Sequence, residues 1–330
     1  MTETSVLPQV TVAVPIYNEA PRLPGLLQAI RAQRYPQERI QVFLLDGGSE
    51  DGSAELAREA AARHANVCYL SNPGRLAATA LNTALARAEG SVFLRLDARA
   101  RPEPDYIATC CRRLAEGRWA GVAGPQRATG ETWAGRVHAL ALNHPFGTGA
   151  PAYRRVQRAH ESESLWMGAY DVRWLHKVGG WDERFAANED FDLNTRLRHA
   201  GGRLLVDPQI RCFYLARDSL RELGAQYARY GAWRTVTWRR HPDAMHVRHM
   251  APTLFVAILV LALLLTPLSV WPLLFLLASY LTVDGLVSLH LARRLGLRAL
   301  PRLLVTFPTL HLAWGCAFWW AWLRPPNHRR

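Results

Sequence analysis

Lysine is almost missing from this 330-residue chain: of its 40 basic residues, Lys177 is the only lysine. A bias that strong toward arginine points to a GC-rich genome, so no single arginine is by itself evidence of a phosphate site. Cysteine is also scarce. Cys68, Cys110, Cys111, Cys212 and Cys316 form no C-x-x-C pair and no His/Cys group with zinc spacing. That excludes a zinc ribbon and a disulfide scaffold, and it reads as the reduced thiols of a cytoplasmic domain. No secretory signal is visible, because Met1–Gln9 is short and polar before the first strand pattern begins. There is no internal repeat and no low-complexity segment, which argues against a solenoid or a disordered tail. Between His249 and Val283, 35 residues pass without one Asp, Glu, Lys or Arg.

What is present divides into three stretches. Residues 9 to about 125 alternate apolar β-branched runs (Val10–Ile16, Ile40–Leu45, Val67–Leu70, Val92–Leu96) with helical patterns near Leu23–Gln33, Ser53–Arg63 and Leu76–Ala88. Such alternation predicts a mostly parallel sheet covered on both faces, with ligands at the carboxyl ends of its strands. Two strand ends there deliver carboxylates, Asp46 and Asp97. Residues 126–218 are less regular and rich in Gly, Trp and Arg. From about 219 to 240 an arginine-rich amphipathic helix is expected.

The uncharged run is split by Pro267 and Pro272 into two apolar segments, about 250–267 and 271–291. A third, 303–323, ends in Trp314, Trp319, Trp320 and Trp322. A bilayer span takes ~20 apolar residues, and tryptophans so placed suit an interfacial belt. Buried core helices are the alternative. Arg229, Arg234, Arg239, Arg240 and Arg248 precede the first segment, and Arg293, Arg294, Arg298 and Arg302 lie between the second and third. Both groups favour the cytoplasmic side, which a helical hairpin satisfies. Arg324, Arg329 and Arg330 then conflict with a third crossing, so that segment either violates the rule or lies in the interface. A net charge of +13 and a pI near 10.2 suit acidic partners. Nucleic acid would explain the charge but none of the motifs, so no nucleic-acid partner is expected; anionic membrane lipids are.

The motifs carry the chemistry. The first strand ends in Val14-Pro15-Ile16-Tyr17-Asn18-Glu19 and the second in Asp46-Gly47-Gly48-Ser49-Glu50-Asp51-Gly52. Then come Asn72-Pro73-Gly74-Arg75 and Arg95-Leu96-Asp97-Ala98-Arg99. After these stand Gly179-Gly180-Trp181-Asp182-Glu183, Asn188-Glu189-Asp190 and Gln226-Tyr227-Ala228-Arg229-Tyr230. Taken in this order, they resemble the family 2 glycosyltransferases, whose GT-A fold is a nucleotide-sugar-binding α/β sandwich. The resemblance covers residues 9 to about 240. Its D-x-D position matches that of the succinoglycan-type exopolysaccharide branch.

The resemblance implies a GT-A domain over 1–248, with a nucleotide-binding half of about 9–125 and an acceptor half of about 126–218. An interfacial helix of about 219–240 follows, and residues 249–330 serve as a transmembrane anchor. It implies that Pro15, Tyr17, Glu19 and Asp46 line a nucleoside pocket and that Arg75 faces the donor phosphates. Asp190, with Glu189 beside it, becomes the catalytic base; Trp181, Asp182, Gln226, Arg229 and Tyr230 face the acceptor or diphosphate. Bland readings stand beside these: Asp46 as a turn former, Arg75 as a surface arginine, Asn188–Asp190 as a helix cap, and the 219–240 helix as a lipid-surface helix. Asp97 matches the first D-x-D ligand for Mg²⁺ or Mn²⁺. The second position is Arg99, which has no lone pair to offer a metal. Either Asp97 holds the ion with diphosphate and water, or Arg99 itself neutralises the leaving diphosphate.

The function so implied is inverting transfer from a nucleotide donor, UDP by expectation, to a polyprenyl-diphosphate-linked or glycan acceptor. Its setting would be exopolysaccharide or envelope synthesis at the bacterial inner membrane, with the catalytic domain in the cytoplasm. The rivals are a processive synthase, weakened by Tyr230 where the synthase motif has Trp, and a degenerate transferase serving as a scaffold.

Overall fold

The structure is a computed structural model that describes residues 7–149, 156–244 and 250–324. Its strands, in chain order, are β1 (Val10–Ile16), β2 (Ile40–Asp46), β3 (Val67–Ser71), β4 (Val92–Arg95), β5 (Ala100–Pro102), β6 (Gly121–Ala123), β7 (Arg127–Thr129), β8 (His160–Glu161), β9 (Ala169–Asp171), β10 (Leu204–Val206) and β11 (Cys212–Leu215). The helices are α1 (Leu23–Arg31), α2 (Ser53–Arg63), α3 (Ala77–Leu85), α4 (Tyr106–Leu114), α5 (Trp133–Asn143), α6 (Pro145–Thr148), α7 (Val172–Val178), α8 (Glu189–His199), α9 (Leu220–Arg240), α10 (Ala251–Leu264), α11 (Trp271–Ala292) and α12 (Leu300–Leu323).

The described parts of Met1–Arg127 and Ala152–Tyr214 form one compact unit; those of Ala128–Pro151 and Leu215–Arg330 form another. In the first unit an eight-stranded sheet runs β3-β2-β1-β4-β9-β6-β10-β8. β1 is parallel to both β2 and β4, β2 is parallel to β3, and β10 is parallel to β6. β9 enters antiparallel between β4 and β6. The reason lies in the strands themselves. Val10, Val12, Val14 and Ile16 of β1 point into a core with Leu23, Leu26 and Ile30 of α1 and Tyr106, Ile107 and Cys110 of α4. Ala13, with Phe43, Leu45 and Phe93, points the opposite way, against Ala78, Leu81 and Leu85 of α3 and Leu193 and Leu197 of α8. Side chains alternate along a strand, so a strand apolar at nearly every position needs a helical layer on each face.

The second unit does not follow the linear boundary at 248. α5 and α9 pack with the C-terminal helices: Val137 and Ala141 share a core with Leu291, Leu303 and Phe307. α9 opens on Ser219, whose hydroxyl accepts from the Glu222 amide at 3.1 Å, the start of an S-x-x-E cap. Gly231 explains how closely α9 lies on α12, since a Cβ there would collide with the Trp314 carbonyl. The segment expected as a first span is shorter than its pattern implied. α10 has 14 residues and ends at Leu264, about 21 Å at 1.5 Å per residue against the ~30 Å of a hydrocarbon core. The backbone turns at Leu265–Ser269, ahead of the proline pair's second member. Trp271–Ala292 and Leu297–Leu323 are long and apolar enough to cross. Their apolar surface is largely uncovered: Phe275 is 78% exposed and Leu286 65%.

Candidate active site

β2 ends on Asp46 and β4 on Arg95, with Asp97 two residues beyond; α8 begins at Glu189. All belong to the first unit. The sheet therefore brings together one group of residues that stand up to 95 positions apart in sequence. Arg95 is its centre. The residue is 7% exposed. Its Nε donates to Asp97 Oδ1 at 2.9 Å, and its Nη1 donates to Glu189 Oε1 at 2.8 Å and to Asp190 Oδ1 at 2.7 Å. Burial alone would loosen the proton on Arg95, but Asp190, Asp97 and Glu189 more than offset it and hold that proton more tightly than usual. Charge-assisted bonds of this length are the strong kind.

Asp190 receives a second donor, Trp181 Nε1 at 3.2 Å, again on Oδ1. Among the described residues no donor reaches its Oδ2. Burial pushes the Asp190 carboxyl up to about 6; Arg95 pulls it down, Glu189 and Asp97 push it up further, and Trp181 pulls it down. Trp181 is itself held. Its backbone N–H donates to Asn82 Oδ1 at 2.8 Å, and Asn82 Nδ2 donates to the Trp181 carbonyl at 2.8 Å. Its ring packs on Phe93 and edge-on to Tyr170. Asp182 turns the same loop, its Oδ1 accepting from the Arg184 amide at 3.0 Å.

A second cluster lies at the ends of β1, β2 and β3. Asp46, 3% exposed, accepts from the amides of Gly48 at 3.0 Å and Ser49 at 3.2 Å, so it shapes its own turn. Gly48 has φ +78°, a left-handed conformation that suits glycine. Asn18 Oδ1 accepts from the Glu50 amide at 2.9 Å and Ser49 Oγ from the Asn18 amide at 2.9 Å, which latches the loop after Pro15 onto the loop after Asp46. Tyr17 is 46% exposed, with the Arg75 guanidinium 5.4 Å from its ring centre. Asn72 Nδ2 donates to the Leu76 carbonyl at 3.0 Å, and the buried Asn72 Oδ1 has no partner.

Arg99, at the second D-x-D position, forms an ion pair with Glu19. It is 7% exposed, and its Nε donates to Glu19 Oε1 at 2.8 Å. One oxygen of Glu19 is thus bonded to the Arg99 guanidinium. Arg99 Nη1 is buried without a hydrogen-bond partner. Asp97, with its side chain 37% exposed, offers one carboxylate oxygen beyond the one Arg95 holds. Among the described residues no group of three His, Cys, Asp or Glu side chains could hold a metal. One free carboxylate oxygen still fits a magnesium-type ion, which keeps waters and takes substrate phosphate oxygens as ligands.

The chain matches the family model "Glycosyl transferase family 2" over residues 11–175. It is 30% identical to the succinoglycan biosynthesis protein ExoA of Rhizobium meliloti over 332 aligned positions, covering 97% of this chain and 95% of that protein. The chain belongs to glycosyl transferase family 2. It is 26% identical, over 68% of its length and 72% of the relative's, to the dolichyl N-acetyl-alpha-D-glucosaminyl phosphate 3-beta-D-2,3-diacetamido-2,3-dideoxy-beta-D-glucuronosyltransferase of Methanococcus voltae. Among solved structures it resembles the mannosyltransferase PcManGT of Pyrobaculum calidifontis, in complex with GDP-Man and Mn²⁺. That match has a TM-score of 0.63 and 21% identity, and covers 98% of this chain and 89% of that one. The likeness shows a GT-A-like fold. The transferase is an enzyme of this family, with the α/β sandwich its motifs implied.

Gln226, Arg229 and Tyr230 lie on α9, in the second unit. Gln226 is buried and donates to the Tyr230 hydroxyl at 3.0 Å, whereas Arg229 is exposed. The residue that reading the motifs missed is Arg95. One signal was available: an arginine at the end of the otherwise apolar Val92-Phe93-Leu94, two positions before Asp97 and so on the same side of the strand.

Proposed function

We propose that this transferase moves a sugar, with inversion, from a nucleoside-diphosphate donor to a hydroxyl of a lipid-linked or glycan acceptor. Asp190 is the general base. The observation that carries this reading is the carboxyl itself: half-buried, pushed up to about 6, and with both its donors on Oδ1. A base poised near neutral pH, with one oxygen open, suits removal of a proton from a sugar hydroxyl. In the step, the acceptor oxygen bonds to the anomeric carbon as the bond from that carbon to the donor phosphate breaks. The acceptor proton goes to Asp190 Oδ2, and the nucleoside diphosphate leaves.

Asp46, Tyr17 and Arg75 are assigned to the nucleoside and phosphate side, with UDP as the expected nucleotide. The spare Asn72 Oδ1 supports a ligand with an N–H or O–H donor there. Asp97 would hold a divalent cation, which when bound supplies charge neutralisation to the diphosphate. Arg99 Nη1 supports an anion nearby, since an unpaired buried N–H costs ~1–3 kcal/mol and a phosphate oxygen would satisfy it. Trp181 and Asp182 are assigned to the acceptor loop, Glu189 to the support of Asp190, and Gln226, Arg229 and Tyr230 to the diphosphate or acceptor.

The uncovered apolar surface of α11 and α12 supports attachment to a membrane, with the catalytic unit on the cytoplasmic face of a bacterial inner membrane. The test is a panel of radiolabelled nucleotide sugars offered to membranes containing the protein or its Asp190→Asn variant. Label should enter a lipid-linked or glycan product only with the unaltered protein. Equal incorporation by the variant would sink the assignment of Asp190.

A further inference from the structure

Of the groups that the proposed chemistry leaves unused, Arg95 has the most demanding surroundings. Three carboxylates from two elements converge on one buried guanidinium. Asp97 comes from the end of β4, and Glu189 and Asp190 from the first turn of α8. No other cation bonds these three carboxylates among the described residues. Bulk solvent cannot take its place at Glu189, whose side chain is 10% exposed beside an Arg95 side chain 9% exposed, whereas those of Asp190 and Asp97 are 22% and 37% exposed.

Geometry separates orientation from simple neutralisation. A guanidinium is a planar fork with five fixed N–H directions, whereas an ammonium is a compact charge on a flexible stem. Here Nε is spent on Asp97, and Nη1 is shared between Glu189 and Asp190. One rigid group therefore fixes the position of Asp97 relative to Asp190. It also takes up Asp190 Oδ1, together with Trp181 Nε1, so that Oδ2 is the oxygen left for a proton. We propose that Arg95 is a positioning residue of the transfer reaction: its fork aims Asp190 Oδ2 at the acceptor hydroxyl and ties the base to the donor-side carboxylate Asp97. The proposal rests on the reading of Asp190 as the base.

The charged and titratable groups facing Asp190 are Arg95 and Asp97 from β4 and its extension, Glu189 from α8, and the Tyr170 phenol from β9. Arg95 is the one cation among them. Its removal takes away both the aim and the charge; Arg95→Lys keeps the charge and removes the fork.

The experiment measures kcat against pH, in detergent or membranes, for the full chain and for Arg95→Gln, Arg95→Lys, Asp190→Asn and the double variant Arg95→Gln/Asp190→Asn. Arg95→Gln is expected to lose about 10²-fold in kcat, the scale of a small misplacement of a reacting group. Its acid limb should move up by ~1 pH unit or more, because an adjacent cation lowers a carboxyl by about that much. Arg95→Lys should keep the acid limb and still lose kcat across the whole range. The double variant should be no slower than Asp190→Asn, within about 2-fold, because groups acting as one unit are not additive.

Wild-type kcat in Arg95→Lys would overturn the orienting role. So would losses that multiply in the double variant, since a purely structural arginine damages both backgrounds alike. Should Arg95→Gln fail to fold, Arg95→Lys and its product with Asp190→Asn carry the same two outcomes. Near-normal turnover in Asp190→Asn is a separate result: it defeats the base assignment itself, whatever Arg95 does.

Discussion

Arg95 and Phe275 mark how differently the two compact units treat groups in the wrong surroundings. In the first unit charge is buried and answered: Arg95 meets three carboxylates, and Arg99 meets Glu19. In the second, apolar surface stands uncovered, with Phe275 78% exposed while Phe307 on the neighbouring helix is 0% exposed. Buried charge costs several kcal/mol per ion unless paired, so its persistence in the first unit marks a place where geometry is held at some cost to stability. Uncovered leucine and phenylalanine make sense only with a non-aqueous partner. The units thus leave different groups unmatched: buried polar atoms in one, and in the other apolar side chains for which a bilayer is the proposed partner.

The largest break in this contrast should come from the base. Asp190→Asn keeps the shape and the Arg95 contact but cannot take a proton. Transfer should fall by ~10²–10⁴-fold, the usual worth of general-base catalysis, while equilibrium binding of the donor persists. Steady-state transfer beside a donor-binding isotherm checks both halves.

Next in size are the paired and packed residues. Arg99→Ala removes one partner of Glu19, whose side chain is 12% exposed, and should cost ~1–3 kcal/mol, read as a lower unfolding midpoint in detergent. Arg99→Asp, which would supply a second acidic position beside Asp97, should be worse for the fold, since it sets two carboxylates against each other. Phe307→Ala should cost ~3–5 kcal/mol, as for other buried Phe truncations. Phe275→Ala should stay within about 0.5 kcal/mol, and Phe275→Lys should weaken sedimentation with membranes. Equal midpoints for Phe307→Ala and Phe275→Ala would erase the difference between covered and uncovered faces.

A smaller effect is the pH dependence of wild-type turnover. The Asp190 carboxyl is raised, so it is protonated and inactive as a base below about 6 and ionised above. Activity should rise roughly tenfold per unit up to that point and then level off. A flat profile between pH 5 and 7 would contradict this. Metal dependence is the finest probe: with one free carboxylate oxygen on Asp97, Mn²⁺ should bind weakly alone and much better with donor present. Metal titrations followed with and without donor measure that coupling.

Removing residues 249–330 is a less clean cut than the linear pattern suggested. Leu303 and Phe307 share a core with Val137 and Ala141 of α5. A truncated chain should therefore aggregate rather than turn soluble, which light scattering after extraction would detect.

Much of this was legible from residue order alone. Strand–helix alternation with apolar β-branched runs announced a two-faced sheet, because such strands tolerate water on neither side. The order of the motifs announced the family. The 35-residue uncharged run announced apolar helices, since it holds no Asp, Glu, Lys or Arg and is mostly aliphatic. Residue order also put Asp46 and Asp97 at or just past strand ends and Glu189-Asp190 at the head of a helix, where the structure has them. Other features needed the tertiary structure. Arg95 and Glu189 stand 94 positions apart, and only the pairing of β4 with β9 and the docking of α8 bring them into bonding range. Arg99 and Glu19, 80 positions apart, join for the same kind of reason. The shortness of α10 and the attachment of α5 to the C-terminal helices were likewise decided by packing. Composition reports how much apolar surface a segment has, but not where its helix stops or what covers it. Local preferences act over a few residues, whereas a buried ion network is selected by the energy of charges that meet only after the chain has folded.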